Sequence, residues 1–357
     1  MSAFIVIPTF ILFLISVTNF FALKKPANDS IISDTVSVIV PLRNEAYNVD
    51  ALIASLAAQT GISHIEYILL DDNSEDESFT LITAAIAARP NFRVLKGAPL
   101  PAGWLGKTWA LQQLFAASTG EILVSIDADV RITTDAISKS ITLMKSMGLD
   151  FLSPYPRQLA TTRGERLIQP LLQWSWMSTL PLHIAQRSTR PSMAVANGQF
   201  FIVKRSALIA TAGYESVKAA VLDDLSLARI LLKTGSHGAV VNGAGIAQCR
   251  MYASWREIES GYGKSLSSAF GSFFGSLGAV AIIFLTGVAP IVLGLMGSAW
   301  GWISFVLIAI TRALSAIRFR SRVVDSLLHP ISSALLIYLI FYAYVMREKI
   351  QWKGRTV

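Results

Sequence analysis

The stretch V-S-V-I-V-P-L-R-N-E, residues 36–45, decides the fold. Its first six residues form a nearly continuous apolar run rich in β-branched side chains, a pattern typical of a strand buried within a parallel sheet. Apolar residues at helical spacing follow from Val49 to Leu56, and Glu66 to Leu70 predicts a second strand. A strand, a helix and a second strand in this order predict a βαβ unit.

The same alternation continues through the middle of the chain. We expect a helix after Ser74, with Ser74 and Glu77 forming its capping box. Further strands are expected over Phe92–Leu95 and Ile122–Ile126. This order predicts an α/β fold with a mostly parallel sheet, in which ligands bind at the carboxyl ends of the strands.

Polar side chains follow three of the predicted strands directly, and we expect them to meet in one crevice. They are Arg43, Asn44 and Glu45, then Asp71 and Asp72, then Asp127 and Asp129. Two carboxylates in a D-x-D triplet suit Mg²⁺ or Mn²⁺ bound to a diphosphate. The triplet alone is a weak signal, and a solvated turn is its alternative interpretation.

Composition places part of the chain in a membrane. Of the 357 residues, 53% are hydrophobic and 15% charged, where a soluble domain has about a quarter charged. Apolar runs lie at Ala3–Leu23, at 275–310 with a break near Gly297, and at Leu327–Met346. We therefore expect an anchor over residues 1–25, a catalytic domain over 30–245, an interfacial amphipathic segment over 246–272 and about three spans within 273–357.

Charge predicts the orientation. Lys24 and Lys25 after the first run favour a cytoplasmic catalytic domain in a multi-pass protein of the cell (inner) membrane. The tail is basic too, at Arg347, Lys349, Lys353 and Arg355, and an odd number of C-terminal spans would place it outside against this rule unless one run is re-entrant. The net charge of +8 suits an anionic membrane surface better than nucleic acid.

Several classes of protein are disfavoured. The chain has no G-x-x-x-x-G-K-[ST] loop and no G-x-G-x-x-G fingerprint, which argues against a P-loop enzyme and a dinucleotide dehydrogenase. The single cysteine, Cys249, excludes an internal disulfide, and we interpret it as a small buried hydrophobe. The four histidines lack metal-ligand spacing.

The motifs together resemble family-two glycosyltransferases. The stretches V-S-V-I-V-P-L-R-N-E, L-L-D-D-N-S-E-D-E-S, G-W-L-G-K-T-W-A, D-A-D and V-L-D-D-L-S-L-A occur in the order of that family between residues 36 and 228. G-W-L-G-K-T-W-A, the A-N-G-Q-F at 196–200 and the R-M-Y-A-S-W-R-E at 250–257 are similar to the bacterial branch associated with hopanoid and carotenoid glycosylation.

The resemblance implies a GT-A fold and an inverting, metal-assisted transfer of a sugar from a UDP-sugar to a membrane lipid. The implied donor-binding residues are Pro41, Arg43, Glu45, Asp71, Asp72, Lys107 and Asp127. Asp127 and Asp129 would bind Mg²⁺ or Mn²⁺, and Asp224, beside Asp223, would be the general base. The implied acceptor-side residues are Asn197, Gly198, Gln199 and Arg250.

Other interpretations stay open. Lys107 could be a surface lysine at a helix start, and Asp223 and Asp224 could be helix N-caps. The text from Gln248 to Tyr252 departs from the Q-x-x-R-W signature of polysaccharide synthases, which disfavours a polymer product. A polyprenyl-phosphate sugar transferase and a catalytically silent membrane scaffold are the alternatives to lipid glycosylation.

Overall fold

A computed structural model of the chain describes residues 2–28, 30–346, 351–352 and 355–356. The tail charges at Arg347, Lys349 and Lys353 lie outside the described residues. The chain divides into two compact units. The sheet unit comprises Lys24–Arg157 and Ile184–Cys249, and the helical unit comprises Met1–Leu23, Gln158–His183 and Arg250–Val357.

The strands occur in the order that the sequence predicts, with further short strands between them. They are β1 (Ile32–Leu42), β2 (Ile62–Asp71), β3 (Phe92–Lys96), β4 (Ile122–Ile126), β5 (Val130–Ile132), β6 (Phe151–Tyr155), β7 (Arg157–Gln158), β8 (Phe200–Lys204), β9 (Gly238–Asn242), β10 (Ala247–Cys249), β11 (Gln351–Trp352) and β12 (Arg355–Thr356).

The helices alternate with the strands in the sheet unit and follow one another in the helical unit. They are α1 (Val6–Ala22), α2 (Val49–Ala57), α3 (Ser78–Ile86), α4 (Gly106–Ala117), α5 (Ala136–Ser146), α6 (Arg163–Ile168), α7 (Pro170–Thr179), α8 (Leu182–Ala185), α9 (Arg205–Ala210), α10 (Asp223–Lys233), α11 (Trp255–Ala269), α12 (Phe273–Ile283), α13 (Ala289–Leu295), α14 (Ala299–Arg318) and α15 (His329–Met346).

A seven-stranded sheet forms the centre of the sheet unit, in the order β3-β2-β1-β4-β8-β6-β9. Neighbouring strands run parallel except that β8 is antiparallel to both β4 and β6. The apolar run of β1 lies in the middle of this sheet, and Val38, Ile39 and Val40 are fully buried there. The predicted α/β fold with a mostly parallel sheet is confirmed.

The predicted capping box of α3 is wrong. The helix begins at Ser78, and Glu77 at its N-cap makes no capping hydrogen bond. The Ser74 hydroxyl instead accepts a hydrogen bond from the backbone N–H of Asn44, at 2.9 Å. Ser74 therefore ties the loop after β2 to the loop after β1, because both loops lie at the carboxyl edge of the sheet.

The helical unit contains three helical segments that are long and apolar enough to cross a membrane: Phe273–Leu295, Ala299–Arg318 and Val323–Met346. They confirm the predicted C-terminal apolar segments and the break near Gly297. The N-terminal helix α1 has 17 residues, which is short beside the roughly 20 that a span requires. Its Asn19 side chain bonds the carbonyls of Met177 and Leu180, so α1 is anchored to the chain around α7.

Candidate functional site

The topology of the sheet brings four chain segments to one edge. Strands β1, β2 and β4 are parallel and end together. Strand β8 is antiparallel to β4. The residues that precede β8 therefore lie at the edge where β1, β2 and β4 end. Phe200 is paired with Ile126, and the N–H of Asp127 donates to the carbonyl of Gln199 at 3.1 Å. The A-N-G-Q segment therefore adjoins the D-A-D triplet.

Lys107 and Asp127 form an ion pair at this edge. The Nζ atom of Lys107 lies 2.8 Å from Oδ1 and 3.1 Å from Oδ2 of Asp127. Burial alone would lower the pKa of Lys107, but the negative charges of Asp127, Asp223 and Asp224 outweigh it and raise this pKa. Lys107 is therefore a cation at neutral pH, held among three carboxylates.

Asp224 is fixed by two backbone donors. The N–H of Gly198 donates to its Oδ2 at 2.6 Å, and the N–H of Leu225 donates to its Oδ1 at 2.7 Å. Burial, followed by the charge of Asp223, raises the pKa of Asp224 to about 6. A Cβ atom built on Gly198 would lie 3.2 Å from the Cβ of Asp224 and 3.3 Å from the Nζ of Lys107. Gly198, Lys107 and Asp224 thus meet at one point.

The acidic pair also lies at the start of a helix. Asp223 and Asp224 occupy the first turn of α10, where their charges favour the positive end of the helix dipole. The N-cap residue is Leu222, and no side chain caps this helix. Neither aspartate is therefore the N-cap that the alternative interpretation requires, although Asp224 satisfies one free N–H of the first turn.

Asp129 is held by a contact that the sequence interpretation missed. The thiol of Cys249 donates to Oδ2 of Asp129 at 3.2 Å, and Nε2 of Gln199 donates to the same sulfur at 3.1 Å. The pairing of β10 with β5 sets Cys249 opposite Val130, which places the thiol beside Asp129. Cys249 is buried, as expected, but it is also a hydrogen-bond partner of the D-A-D triplet, which no local sequence pattern signals.

Electrostatics link Asp129 to the loop after β1. Burial, then the charge of Asp127 and, more weakly, that of Glu45, raises the pKa of Asp129 to about 6. Glu45 accepts from the Asn48 amide at 2.6 Å, and Nη2 of Arg131 donates to the Asn48 Oδ1 at 2.6 Å. The charges of Asp127 and Glu45 therefore both act on Asp129 at this edge.

The residues predicted to bind the nucleotide lie in and beside the loops that follow β1 and β2. Arg43 donates from Nη1 to the carbonyls of Asp72 and Asn73 at 2.7 and 2.6 Å, so its guanidinium holds the loop after β2. Asp71 is 4% exposed; its Oδ2 accepts from the N–H of Ser74, at 3.3 Å. Its other oxygen, Oδ1, is buried and has no hydrogen-bond partner within the described residues. Pro41 lies within β1.

The predicted acceptor-side residues divide between the two units. Asn197 and Gln199 are buried in the sheet unit. The side-chain oxygen of Asn197 accepts a hydrogen bond from the backbone N–H of Gln199 at 2.8 Å, and the backbone N–H of Asn197 donates to Ser153 Oγ at 2.8 Å. Arg250 belongs to the helical unit, where its Nη2 donates to Glu165 at 3.1 Å. Asn197 and Gln199 shape the loop that presents Gly198 to Asp224.

Comparisons with known proteins identify similar sequences among glycosyltransferases. A 4,4'-diaponeurosporenoate glycosyltransferase of Staphylococcus haemolyticus is 26% identical over 242 residues, 66% of this chain and 62% of its own length. An undecaprenyl-phosphate 4-deoxy-4-formamido-L-arabinose transferase of Shewanella sediminis is 34% identical over 100 residues, 28% of this chain and 29% of its own length. The chain thus spans less than two thirds of the length of either relative.

The fold has a solved counterpart. A mannosyltransferase from Pyrobaculum calidifontis, solved in complex with GDP-Man and Mn²⁺, superposes with a TM-score of 0.57 at 16% identity over 97% of this chain and 98% of that one. Residues 37–211, which include Lys107, Asp127 and Gly198, match the family described as Glycosyl transferase family 2. Residues 37–211 therefore form a glycosyl transferase family 2 domain, and the chain has the GT-A fold that its motifs imply.

Proposed function

We propose that the chain transfers a sugar, with inversion, from a UDP-sugar to a membrane lipid. The observation that carries this proposal is the meeting of Lys107, Asp127 and Asp224 around Gly198. A half-buried cation beside two half-buried carboxylates provides one group for an anionic leaving group and another for a proton. Transfer from a nucleotide-diphospho-sugar requires both.

The donor side fits a nucleoside diphosphate. The unpartnered Oδ1 of Asp71 is an acceptor that the N3–H of a uracil ring would satisfy, since a buried acceptor without a partner is costly. The positive charge of Lys107 would offset the charge that develops on the diphosphate as the bond to the sugar breaks. Arg43 and Asp72 would support this pocket through the loop that they join.

Asp127 and Asp129 fit a divalent ion. Both are hard oxygen donors, and the raised pKa of Asp129 reflects burial and repulsion that a cation would relieve. Within the described residues no three His, Cys, Asp or Glu side chains form a metal cluster, so an ion would take its other ligands from the diphosphate and water, as Mg²⁺ commonly does. When bound, the ion supplies positive charge to the leaving diphosphate.

Asp224 is the proposed general base. Each of its oxygens accepts one backbone N–H and keeps a further lone pair, which can take the proton of an acceptor hydroxyl as that oxygen attacks the sugar carbon. The new bond forms from the acceptor oxygen as the bond from the sugar to the nucleoside diphosphate breaks. A carboxylate acceptor has no proton to remove, so transfer to it would not require Asp224 as a base.

The acceptor is proposed from the relatives and the helices. The relative from Staphylococcus haemolyticus is named for a carotenoid acid, and the three apolar helical segments here suit an enzyme that works on a membrane-dissolved substrate. We therefore propose a carotenoid- or hopanoid-like lipid, accepted through a hydroxyl or a carboxyl group. The sheet unit would face the cytoplasm, because Lys24 and Lys25 follow the first apolar helix.

A second candidate acceptor is a polyprenyl phosphate. It is favoured by the match to the undecaprenyl-phosphate transferase, which is higher in identity but covers only 28% of this chain. Polyprenyl phosphate carries its own anionic nucleophile, so this reaction would not depend on proton removal by Asp224. Adding polyprenyl phosphate in place of the lipid extract separates the two acceptors.

UDP release tests the proposed transfer. The purified full chain, in detergent with Mn²⁺, is mixed with each of several UDP-sugars and a membrane lipid extract. We expect UDP release from the wild type and a reduction of roughly a hundred- to ten-thousand-fold in Asp224→Asn. The variant Asp50→Asn, at an exposed helix position, is the control for loss of a carboxylate. No release above background by the wild type would refute the proposal and favour a silent scaffold, whereas equal release by both proteins would refute transfer to a hydroxyl with Asp224 as the base.

A further inference from the structure

The helical unit buries an arginine with two guanidinium nitrogens that lack a hydrogen-bond partner among the described residues. Arg312 lies in α14, an apolar helix that is long enough to span a membrane, and is 4% exposed. Its Nε and Nη1 atoms have no hydrogen-bond partner within the described residues. A buried guanidinium is costly unless an anion or acceptor compensates it, and more so inside a bilayer.

The nearby acid, Asp325, acts on Arg312 through its charge, but both of its oxygens are hydrogen-bonded to another arginine. Asp325 is bound by Arg166, which donates from Nε to Oδ2 at 2.8 Å and from Nη2 to Oδ1. This two-point pairing engages both carboxylate oxygens and matches the charge of Asp325 with that of Arg166. Arg166 and Arg312 together carry two positive charges, and Asp325 carries one negative charge, so one positive charge is not balanced by this acid.

A second unpartnered polar atom lies near Arg312. Trp174 lies beside Arg312, with the guanidinium carbon 5.9 Å from the ring, and the His329 ring lies 4.6 Å from the Trp174 ring. His329 Nε2 shares a hydrogen bond with Ser333, whereas its Nδ1 has no partner within the described residues.

We propose that Arg312 and His329 form a binding site for the oxyanion head, a carboxylate or a phosphate, of a membrane amphiphile. Nε and Nη1 of Arg312 donate hydrogen bonds to the oxyanion. Nδ1 of His329 also donates to it in the tautomer whose Nε2 accepts a hydrogen bond from the Ser333 hydroxyl. The apolar chain of the ligand would extend from this site along the apolar helical segments of the unit. This site is independent of the proposed sugar transfer.

Thermal unfolding of the full chain in a non-ionic detergent tests the proposal. The probes are oleate, phosphatidic acid, methyl oleate and inorganic phosphate. We expect oleate and phosphatidic acid to raise Tm by several degrees, because a ligand bound only by the folded state stabilises it. Methyl oleate lacks the charge and inorganic phosphate lacks the chain, so neither should shift Tm.

Arg312→Met removes the charge at similar length. Without ligand we expect its Tm to equal or exceed that of the wild type, because an uncompensated buried charge is replaced by an apolar side chain. The shift with oleate should disappear in Arg312→Met and persist in Arg320→Gln, which removes an exposed arginine. His329→Phe, which keeps a ring against Trp174, should reduce the shift and provides a second test if Arg312→Met does not fold.

Three results would overturn the proposal. Equal shifts for oleate and methyl oleate would mean that the oxyanion is not recognised. An unchanged oleate shift in Arg312→Met, or no shift in the wild type, would mean that Arg312 and its neighbours are only hydrated. A full shift with inorganic phosphate would mean that the site takes a free anion. UDP release is measured separately, so failure here leaves the transferase proposal standing.

Discussion

Asp224 is a half-buried carboxyl group with a raised pKa. Burial and the charge of Asp223 raise this pKa to about 6, while Lys107 and the two backbone donors act in the opposite direction. A carboxylate with this pKa is still ionised at pH 7 but is a stronger base than an exposed aspartate. At the scale of single residues, the environment of Asp224 therefore suits the role that its motif implies.

The pH dependence of sugar transfer to a hydroxyl acceptor should reveal this pKa. Asp224 is active as the carboxylate, so kcat/KM should fall about tenfold per pH unit as the pH drops below about 6. Asp223→Asn removes a like charge that raises the pKa of Asp224, so the fall should move to lower pH. We would abandon Asp224 as the base if the two profiles coincided while both proteins stayed folded.

The same raised pKa has a consequence for stability. A carboxyl group whose pKa is higher in the folded than in the unfolded protein stabilises the fold below its unfolded pKa near 4, and this contribution is lost as the pH rises through about 6. Asp224→Asn removes the ionisation, so its Tm at pH 7.5 should be unchanged or higher than that of the wild type. A marked fall in Tm would instead indicate that the charge supports the fold.

Cys249 should position Asp129. Cys249→Ala removes the thiol donor and leaves Oδ2 of Asp129 without its hydrogen bond, whereas Cys249→Ser keeps a donor. We expect Mn²⁺ to bind more weakly, by roughly tenfold as for other partners of metal ligands, in the alanine variant and nearly normally in the serine variant. Free Mn²⁺ measured by electron paramagnetic resonance, with UDP present, reports this directly. Equal affinities in all three proteins would argue against a positioning role.

At the scale of elements, one antiparallel strand completes the site. β8 carries Gly198 to the edge where β1, β2 and β4 end, because its direction is opposite to theirs. The sequence predicts β1, β2 and β4, since apolar β-branched runs are local signals. It does not predict the direction of β8 or the contact of Cys249 with Asp129, because both depend on pairing between segments distant in the chain.

Gly120, which precedes β4, allows the chain to approach β1 closely. A Cβ atom on Gly120 would lie 2.5 Å from the backbone nitrogen of Ser37, and a backbone atom in the middle of a sheet cannot move away easily. Gly120→Ala should therefore lower the free energy of unfolding by roughly 1–3 kcal/mol, measured by denaturant titration of the full chain. Gly278→Ala, where no atom lies within 4 Å, is the control and should cause no such loss.

At the scale of the whole molecule, length and hydropathy predicted the three C-terminal apolar segments, because a span is defined by composition over about 20 residues. They did not predict that residues 158–183 group with those segments in the helical unit. Length and hydropathy also do not predict the polar surroundings of Arg312, because α7 and α15 contribute to these surroundings from distant parts of the sequence.

The orientation of the spans can be tested with single cysteines in a Cys249→Ser background. If the sheet unit is cytoplasmic, Met296→Cys, between the first two C-terminal spans, should react with a membrane-impermeant maleimide on intact cells. Arg322→Cys, in the basic loop between the second and third, should react only after the membrane is opened. The reverse pattern would place the sheet unit outside the cytoplasm.

The central claim is that carboxylates and a lysine from separate stretches of chain transfer a sugar to a lipid, and the lipids themselves test it most directly. Mass spectrometry would compare lipids from cells that make the wild type with those from cells that make Asp224→Asn at equal protein level. We predict a lipid heavier by one sugar residue in the wild-type cells and its strong depletion with the variant. Identical lipid profiles, in cells that contain UDP-sugars and isoprenoid lipids, would contradict the account.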